Sequence, residues 1–492
     1  MLSAIVFIPA AGALLVLMAG RSARLARRIA LLAALVDLAL VGVLFARYST
    51  ATGGFQYEER FDWIAAFDIQ YFMAVDGLSL PMVLLTAILG LSAVLVSWRV
   101  GERVREYFFW LLLLQTAVTG VFVSLDFILF FIFWELELLP MYFLISIWGT
   151  GRREYSAMKF LIFTFLGSAF MFAAILTLYF SFSGAERTFD MTVLATRDLT
   201  ALLVPVWLVF LGFLVAFAIK LPVFPLHTWL PDAHTDAPTA VSVMLAGVLL
   251  KMGGYGLLRI NVGMFPKEVA DVAPLLAALA VVNVLYGAFI VMRQTDLKRL
   301  VAYSSISHMG FVLLGISSVG AATGQLTPVG LNGAAMQLFT HGTITGLLFV
   351  VVGLIYDRTH TRHIPDMGGL AARMPIISVV FLVAGLAALG LPSTSGFVAE
   401  ILVFMGAFPV WGWATGLAAF GVVLAAGYIL WMAQRTLFGP RPARYDDLED
   451  ASLADAASMA VLLVPIMVIG LYPKLLTDIF DVGILPIITR FG

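Results

Sequence analysis

Long apolar runs separated by short polar breaks recur along the whole chain. Two examples are LLAALVDLALVGVLF, which begins at Leu31, and VWLVFLGFLVAFAI, which begins at Val206. A helix needs about 20 residues to cross the hydrocarbon of a bilayer, where it satisfies its own backbone polar groups. The runs predict an all-α integral membrane protein with about 14 transmembrane helices, centred near residues 11, 38, 88, 116, 136, 170, 213, 248, 282, 310, 342, 386, 424 and 464.

Two of the predicted spans are interrupted by proline. The seventh contains KLPVFP, with Pro222 and Pro225, and the twelfth contains GLPSTSG, with Pro392 and Gly396. Proline lacks an N–H and clashes with the preceding turn, so we expect a broken helix at each place. Each is the fourth span of a five-span set. Because five is odd, the two sets insert in opposite orientations, and such inverted repeats with broken helices are typical of ion translocation.

This layout divides the chain into four parts. We predict a three-helix segment over 1–105, a first repeat over 106–260, a second repeat over 270–438 and a C-terminal helix over 439–492. Each repeat forms a half-channel, with its broken helix near 220–226 or 391–397.

Composition and charge fit this class and orient the chain. Of its 492 residues, 62% are hydrophobic and 12% are charged, whereas soluble domains carry about 25% charged residues. Alternating loops place 19 of the 29 Lys and Arg residues on one side, beginning with Arg21, and 8 on the other. The positive-inside rule therefore predicts both termini on the outer side of a bacterial cytoplasmic membrane, with the loop over 48–78 also outside.

Ionisable residues occur inside several predicted spans. A charge at the bilayer centre costs roughly 2.5–3.5 kcal/mol on insertion scales, so such residues suggest function. The stretch FFIFWELELLPMYFLISIW carries two carboxylates two positions apart, which point about 200° from each other on a helix. The full set is Glu135, Glu137, Lys220, Lys251, Glu400, His308, His341 and Asp37, the last with no evident partner.

Two functions are open for these residues. A buried Lys–Glu pair can be purely structural, and histidines in helices are often hydrogen-bonded core residues. A series of Glu, Lys and His at membrane depth also suits proton movement, because low-dielectric surroundings disfavour the charged forms of carboxyl and amino groups. Contact between Glu135 and Lys220 would favour both charged forms, and separation would favour proton release.

The sequence contains no feature for redox chemistry of its own. The chain has no cysteine, which excludes cysteine-ligated iron–sulfur clusters and zinc sites. The glycines of MGGYG, at 252–256, lack the GxGxxG spacing and lie in a helix, where they favour tight packing. We expect this chain to bind no cofactor, metal or nucleic acid.

Several stretches resemble the antiporter-like subunits of bacterial NADH:quinone oxidoreductase (respiratory complex I), and among these subunit M. The most specific is K-x-P-x-x-P-L-H-x-W-L-P-D-A-H, which begins at Lys220. The others, which together span nearly the whole chain, include AVDGLSLPMVLLT, FFIFWELELLPMYFLISIWG, DLKRLVAYSSISHMGFV, MQLFTHG and LPSTSGFVAEILVF.

This resemblance implies fourteen helices, inverted repeats and one proton channel. By motif it assigns Glu135 as the glutamate of the W-E pair, Lys220 as the lysine of the broken helix, Lys251 as the central lysine and Glu400 as the proton-exit residue, with His227, His308 and His341 linking the halves. From the residues themselves we hypothesise that Glu135 and Lys220 form a pair whose distance controls proton affinity, and that Lys251 is a central proton carrier. Glu137 lies outside the family pattern. Neighbouring antiporter-like subunits would be partners, and other subunits would carry FMN, iron–sulfur clusters and quinone.

Other assemblies share parts of this pattern. A multi-subunit cation/proton antiporter and a membrane-bound hydrogenase complex also use the lysines and histidines, and the identity of co-purifying proteins would separate them. A self-sufficient secondary transporter is a third alternative, which activity of this chain alone in liposomes would reveal.

The distribution of basic residues generates a topological prediction. Reporters fused after Arg28 or Arg153 should be cytoplasmic, and a reporter fused near Glu59 should be outside. Alkaline phosphatase and fluorescent-protein fusions measure this directly, and a reversed pattern would overturn the span assignment.

Overall fold

Helices lie over every predicted span centre in the computed structural model, which describes residues 1–20, 22–200, 202–320 and 328–491. Arg21, the first residue of the basic-loop count, lies outside the described residues. Eleven described helices are long and apolar enough to cross a membrane, and four shorter ones are also apolar.

The bounds of the α-helices are α1 (Leu2–Leu17), α2 (Ala23–Arg47), α3 (Ser79–Val96), α4 (Val104–Val123), α5 (Phe127–Leu136), α6 (Leu138–Trp148), α7 (Arg153–Phe180), α8 (Met191–Leu194), α9 (Val206–Lys220), α10 (Trp229–Asp236), α11 (Thr239–Met244), α12 (Leu250–Gly256), α13 (Pro266–Val291), α14 (Leu297–Ser317), α15 (Val329–Thr359), α16 (Pro375–Ala388), α17 (Ser395–Ala407), α18 (Gly412–Leu437), α19 (Leu453–Leu471) and α20 (Lys474–Ile488).

Both predicted helix breaks are confirmed. Helix α9 ends at Lys220 and α10 begins at Trp229, and α16 ends at Ala388 before α17 begins at Ser395. Each break leaves backbone groups that need partners at membrane depth. In the first break, the Trp229 indole N–H donates to the carbonyl of Ile219 at 2.9 Å.

A side chain from the second half of the chain satisfies two more backbone groups of the first break. The amide oxygen of Asn283, on α13, accepts the N–H of Phe224 at 2.8 Å, and its amide nitrogen donates to the carbonyl of Pro222 at 3.2 Å. Asn283 is fully buried. The first break is therefore held open by a residue of the second predicted repeat.

The helices with polar positions occupy the centre of the bundle. Helices α11 and α12 join through π-helical turns into one span over 239–262, whose most apolar stretch is fully buried, as is that of α15. By contrast, only a third of the corresponding stretch of α2 or α19 is buried. The peripheral helices thus shield the central ones from lipid.

The predicted outer loop contains the one β-hairpin of the described residues, in a chain that is otherwise mostly helical as predicted. Residues Gln56–Ile64 and Ile69–Val75 form the antiparallel strands β1 and β2. The N-terminal amine of Met1 pairs with Glu59 of β1. Strand β1 is mostly exposed, so hydrophobic runs gave no signal for it.

Asp37, for which the sequence predicts no partner, forms a hydrogen bond with the side-chain amide of one residue. Gln115 on α4 donates to its carboxyl oxygen at 2.7 Å, and Asp37 is almost completely buried. Gly90 on α3 makes room for this contact, because a Cβ there would lie 2.2 Å from the Gln115 amide oxygen.

The role of Asn283 generates a stability prediction. Asn283→Ala should destabilise the assembled protein by about 1–3 kcal/mol for each backbone group left without a partner. Thermal dissociation on native gels measures the loss. Leu275→Ala, on the lipid-exposed face of the same helix, is the matched control and should have little effect. Equal stability of the two variants would show that Asn283 does not support the break.

Candidate functional site

The fifth predicted span is also interrupted, at Glu137. Helix α5 ends at Leu136 and α6 begins at Leu138. The ring of Pro140 excludes a normal hydrogen bond one turn back, which explains an interruption at this position. Glu137 is fully buried and forms an ion pair with Lys220.

The predicted pairing of Glu135 with Lys220 is therefore wrong. Glu135 lies two residues earlier and points to a different side of the helix, where it is partly exposed. One of its carboxyl oxygens is buried and has no hydrogen-bond partner among the described residues. The carboxylate that contacts the lysine is the one outside the family pattern.

Lys220 lies where a cation is favoured. It is the last residue of α9, and the carbonyl end of a helix attracts positive charge. Its ammonium nitrogen lies 5.5 Å from the ring centre of Trp134 and 5.3 Å from that of Phe160, within the range of cation–π attraction. These groups and Glu137 stabilise a charged lysine at the break.

Lys251 begins a second group of polar residues at the centre of the bundle. Its ammonium nitrogen lies 2.7 Å from Nδ1 of His341 and also donates to the carbonyl of Ala246. That carbonyl lies in the π-helical turn Leu245–Leu249, where the normal backbone ladder is altered. Because lysine donates, Nδ1 of His341 accepts in this arrangement.

The group continues through His308 to Glu400. The rings of His341 and His308 are centred 5.6 Å apart, and Nδ1 of His308 lies 3.7 Å from Oε1 of Glu400. These three residues line a cavity of about 10 Å³, close to the space one water molecule needs. Lys251, His341, His308 and Glu400 thus form a polar series that we call the central relay.

The Glu137–Lys220 pair and the central relay are adjacent but separate. A Cβ at Gly253 would lie 3.0 Å from the Cβ of Lys220 and 2.8 Å from the carbonyl of Phe217. The glycine therefore lets the helix of Lys251 pack directly on the end of α9, as expected for the MGGYG glycines. Between the two lysines no hydrogen bond is formed in the part of the chain that the structure describes.

His227 does not join the central relay. Its Nε2 lies 3.1 Å from the hydroxyl of Tyr286 on α13, and its ring stacks on Phe224. It thus contacts a helix of the second predicted repeat, at a place apart from Lys251.

The sequence also matches a family of known proteins. The family model described as "NADH:quinone oxidoreductase/Mrp antiporter, TM" matches residues 124–426, which is more than half of the chain. The chain belongs to this family. A relative, NAD(P)H-quinone oxidoreductase chain 4 1 of Synechococcus elongatus, is 43% identical over 98% of this chain and 90% of its own length.

Two solved structures are similar to this protein over the whole chain. A chain of respiratory complex I from Thermus thermophilus with bound NADH is 28% identical, with a TM-score of 0.89 and full coverage of both chains. A chain of the Mrp complex from a Dietzia species has a TM-score of 0.85 over 100% of this chain and 99% of its own. At 21% identity, the latter similarity shows the fold alone.

In this family member, sequence reasoning missed two further buried basic residues. His234 on α10 is fully buried and stacks on Phe349 at 4.6 Å. Lys298 on α14 is also buried and donates to the carbonyl of Ala237 at 2.5 Å. His234 is the last residue of the proline-rich motif, which is the signal that could have identified it. Lys298 lies among the polar residues RQTDLKR, so its sequence indicates a basic residue in a loop and not a buried one.

The observed ion pair predicts that Glu137 is more sensitive to substitution than Glu135, whereas a Glu135–Lys220 pair would predict the opposite. Glu137→Gln should reduce coupled turnover at least tenfold, because Lys220 would lose its counter-charge in a site where one unpaired charge costs several kcal/mol. Glu135→Gln, its matched control two residues away, should be milder. Proton pumping in membrane vesicles, compared at equal amounts of assembled complex, measures both. A more severe defect in Glu135→Gln would contradict the pairing.

Proposed function

We propose that the chain is a proton-translocating membrane subunit of NADH:quinone oxidoreductase, equivalent to antiporter-like subunit M. The observation that carries this proposal is the central relay, four ionisable side chains in sequence at membrane depth. Family membership and 43% identity to an NAD(P)H-quinone oxidoreductase chain support the same function. Electron transfer takes place elsewhere in the complex.

In this proposal, the Glu137–Lys220 pair acts as the gate. Contact between the two groups holds a proton on Lys220, because the carboxylate stabilises the ammonium. Movement of either group weakens that stabilisation and lets the lysine give up its proton. The interruption at Glu137 and the break after Lys220 place both groups at helix ends, where small backbone rotations can separate them.

The central relay then carries the proton to the second half. A proton passes from Lys251 to His341, since the two nitrogens are already within hydrogen-bond distance. His308 and Glu400 are too far apart for a direct hydrogen bond at 3.7 Å, and a water molecule in the adjoining cavity can bridge them. Glu400 faces the second break, because a Cβ at Gly390 would lie 2.4 Å from its carboxyl oxygen. From there the proton leaves to the outer side.

The assembly around the chain follows from this assignment. Other membrane subunits, especially neighbouring antiporter-like subunits, bind its lipid-depth surfaces, and partner subunits carry the FMN, the iron–sulfur clusters and the quinone site. The chain resides in a bacterial cytoplasmic membrane with both termini outside. The contact of Met1 with the hairpin and of Arg490 with the carbonyl of Ala195 supports placing the termini on one face.

A cation/proton antiporter complex remains the alternative assembly. Its support is the description of the matching family model, which also names the Mrp antiporter, whereas the Mrp structure at 21% identity shows the fold alone. Purification of the tagged chain separates the two, because flavin- and iron–sulfur-containing subunits should accompany it in the first case and be missing in the second.

Variants of Lys251 test whether the central relay carries protons. Lys251→Ala should abolish most proton pumping, and Lys251→Arg should impair it as well, since guanidinium does not release its proton. Pumping is measured as substrate-driven acidification of inverted vesicles. Full pumping by the arginine variant would mean that this position needs only a fixed charge, and the carrier role would be wrong.

Variants of Glu400 test whether protons leave the central relay through this carboxyl group. Glu400→Gln keeps volume and hydrogen bonding but cannot carry the proton, so pumping and electron transfer should fall together by about tenfold while assembly stays normal. Glu400→Asp should be intermediate. Native gels run beside the activity assays provide the control, and a normal complex with normal pumping would falsify the exit role.

A further inference from the structure

A stripe of three polar residues leads from the central relay toward the face that carries the chain termini. Lys251, Tyr255 and Arg259 follow each other at intervals of four residues in one helix, so they lie roughly one above another. The stripe is about 12 Å long by helical rise. It ends at a cavity of about 270 Å³, which has room for several water molecules and is lined by Asp76, Arg259 and Arg490.

Because Lys251 and Tyr255 lie on adjacent helical turns, proton transfer along the stripe would be a second way out of the membrane centre, in competition with the route through Glu400. A proton on Lys251 that reached the cavity would bypass His341, His308 and Glu400. A coupled pump cannot tolerate such a bypass, because protons would also flow back through it. Something on the stripe must therefore block it.

Tyr255 is held in an orientation that does not conduct. Its hydroxyl donates to the backbone carbonyl of Phe122 at 3.2 Å, and it accepts from Nε of Arg259 at 3.2 Å. A backbone carbonyl cannot pass a proton onward. The hydroxyl proton is thus fixed on a group where transfer ends.

Arg259 closes the stripe at the cavity. Its guanidinium forms an ion pair with Asp76, and the exposed fractions of the two side chains are only 11% and 8%. A guanidinium is protonated at all working pH values, so it neither accepts a proton from Tyr255 nor passes one to water. Its fixed positive charge also repels protons that approach from the cavity, as pore arginines do in other channels.

We propose that Arg259, held by Asp76, is an electrostatic plug that separates Lys251 from the termini-side cavity and prevents proton leak through the first half of the chain. This inference rests on the proposed proton-carrying role of Lys251. It predicts that relay variants and plug variants have opposite defects. Substitution of a relay residue should stop proton movement, whereas substitution of Arg259 should let protons leak back across the membrane.

Arg259→Lys and Arg259→Gln test the plug in the assembled complex reconstituted in liposomes. Lysine keeps a cation for Asp76 but can release its proton and does not reproduce the bond to Tyr255; glutamine removes the charge. Both variants should retain electron transfer, generate a smaller proton gradient per electron, and let an imposed pH gradient decay severalfold faster than the wild type does. Arg490→Gln is the matched control, because Arg490 lines the same cavity outside the stripe, and it should stay tight.

A double variant connects the leak to the stripe. Lys251→Ala added to Arg259→Lys should restore a slow decay of the imposed gradient, because the leak path would lose its proton-carrying residue. If Lys251→Ala alone pumps normally, the relay proposal fails; if both Arg259 variants assemble and stay tight, the plug proposal fails. Should Arg259→Gln not assemble, a tight Arg259→Lys variant is sufficient to overturn the plug and leaves Arg259 a structural role.

Discussion

The high free-energy cost of an unpaired charge in hydrocarbon is the constraint on which this structure depends. Glu137 and Lys220 are both fully buried, and each is tolerable there only because the other is in contact. Their contact requires a lysine at the end of α9 and a glutamate at the junction of α5 and α6. The proline interruptions in both spans supply these positions, and the shielding of the central helices by α2, α7, α18 and α19 keeps lipid away from them.

Much of this architecture could be predicted from the sequence because it rests on local signals. Apolar runs located the spans, and Pro222 and Pro392 located two breaks, since a missing N–H acts on its own helix wherever the helix packs. The partner of Lys220 could not be predicted in the same way. Glu135 lies within α5 and Glu137 lies at the interruption beside Pro140, so a regular helix does not predict their relative directions. The expected partner of Lys220 was therefore Glu135, whereas the observed ion pair is made by Glu137.

Other features escaped prediction because their partners are distant in sequence. Gln115 reaches Asp37 across 78 residues, and Asn283 satisfies the first break from another repeat. Strand β1 shows little alternation of apolar and polar residues, because most of its side chains are exposed. Such contacts arise only when the helices pack together, so neither hydrophobic periodicity nor a sequence motif predicts them.

The Glu137–Lys220 pair and the central relay are separate in the structure, and we propose that they act on each other through charge. Gly253 lets the helix that carries Lys251 pack directly on the end of α9, where Lys220 lies. In the proposed mechanism, opening the pair removes the counter-charge of Lys220 and so changes the electrostatic potential at Lys251. The gate and the relay would then be coupled by charge, without a hydrogen bond between them.

The central claim is that Glu137 and Lys220 separate and rejoin during turnover. Isotope-edited infrared difference spectroscopy of the working complex, with Glu137→Gln used to assign the signal, measures it most directly. The account predicts a carboxyl band of Glu137 that changes between resting and working states, because the carboxylate loses and regains its ammonium partner. A Glu137 signal that is identical in both states would contradict it.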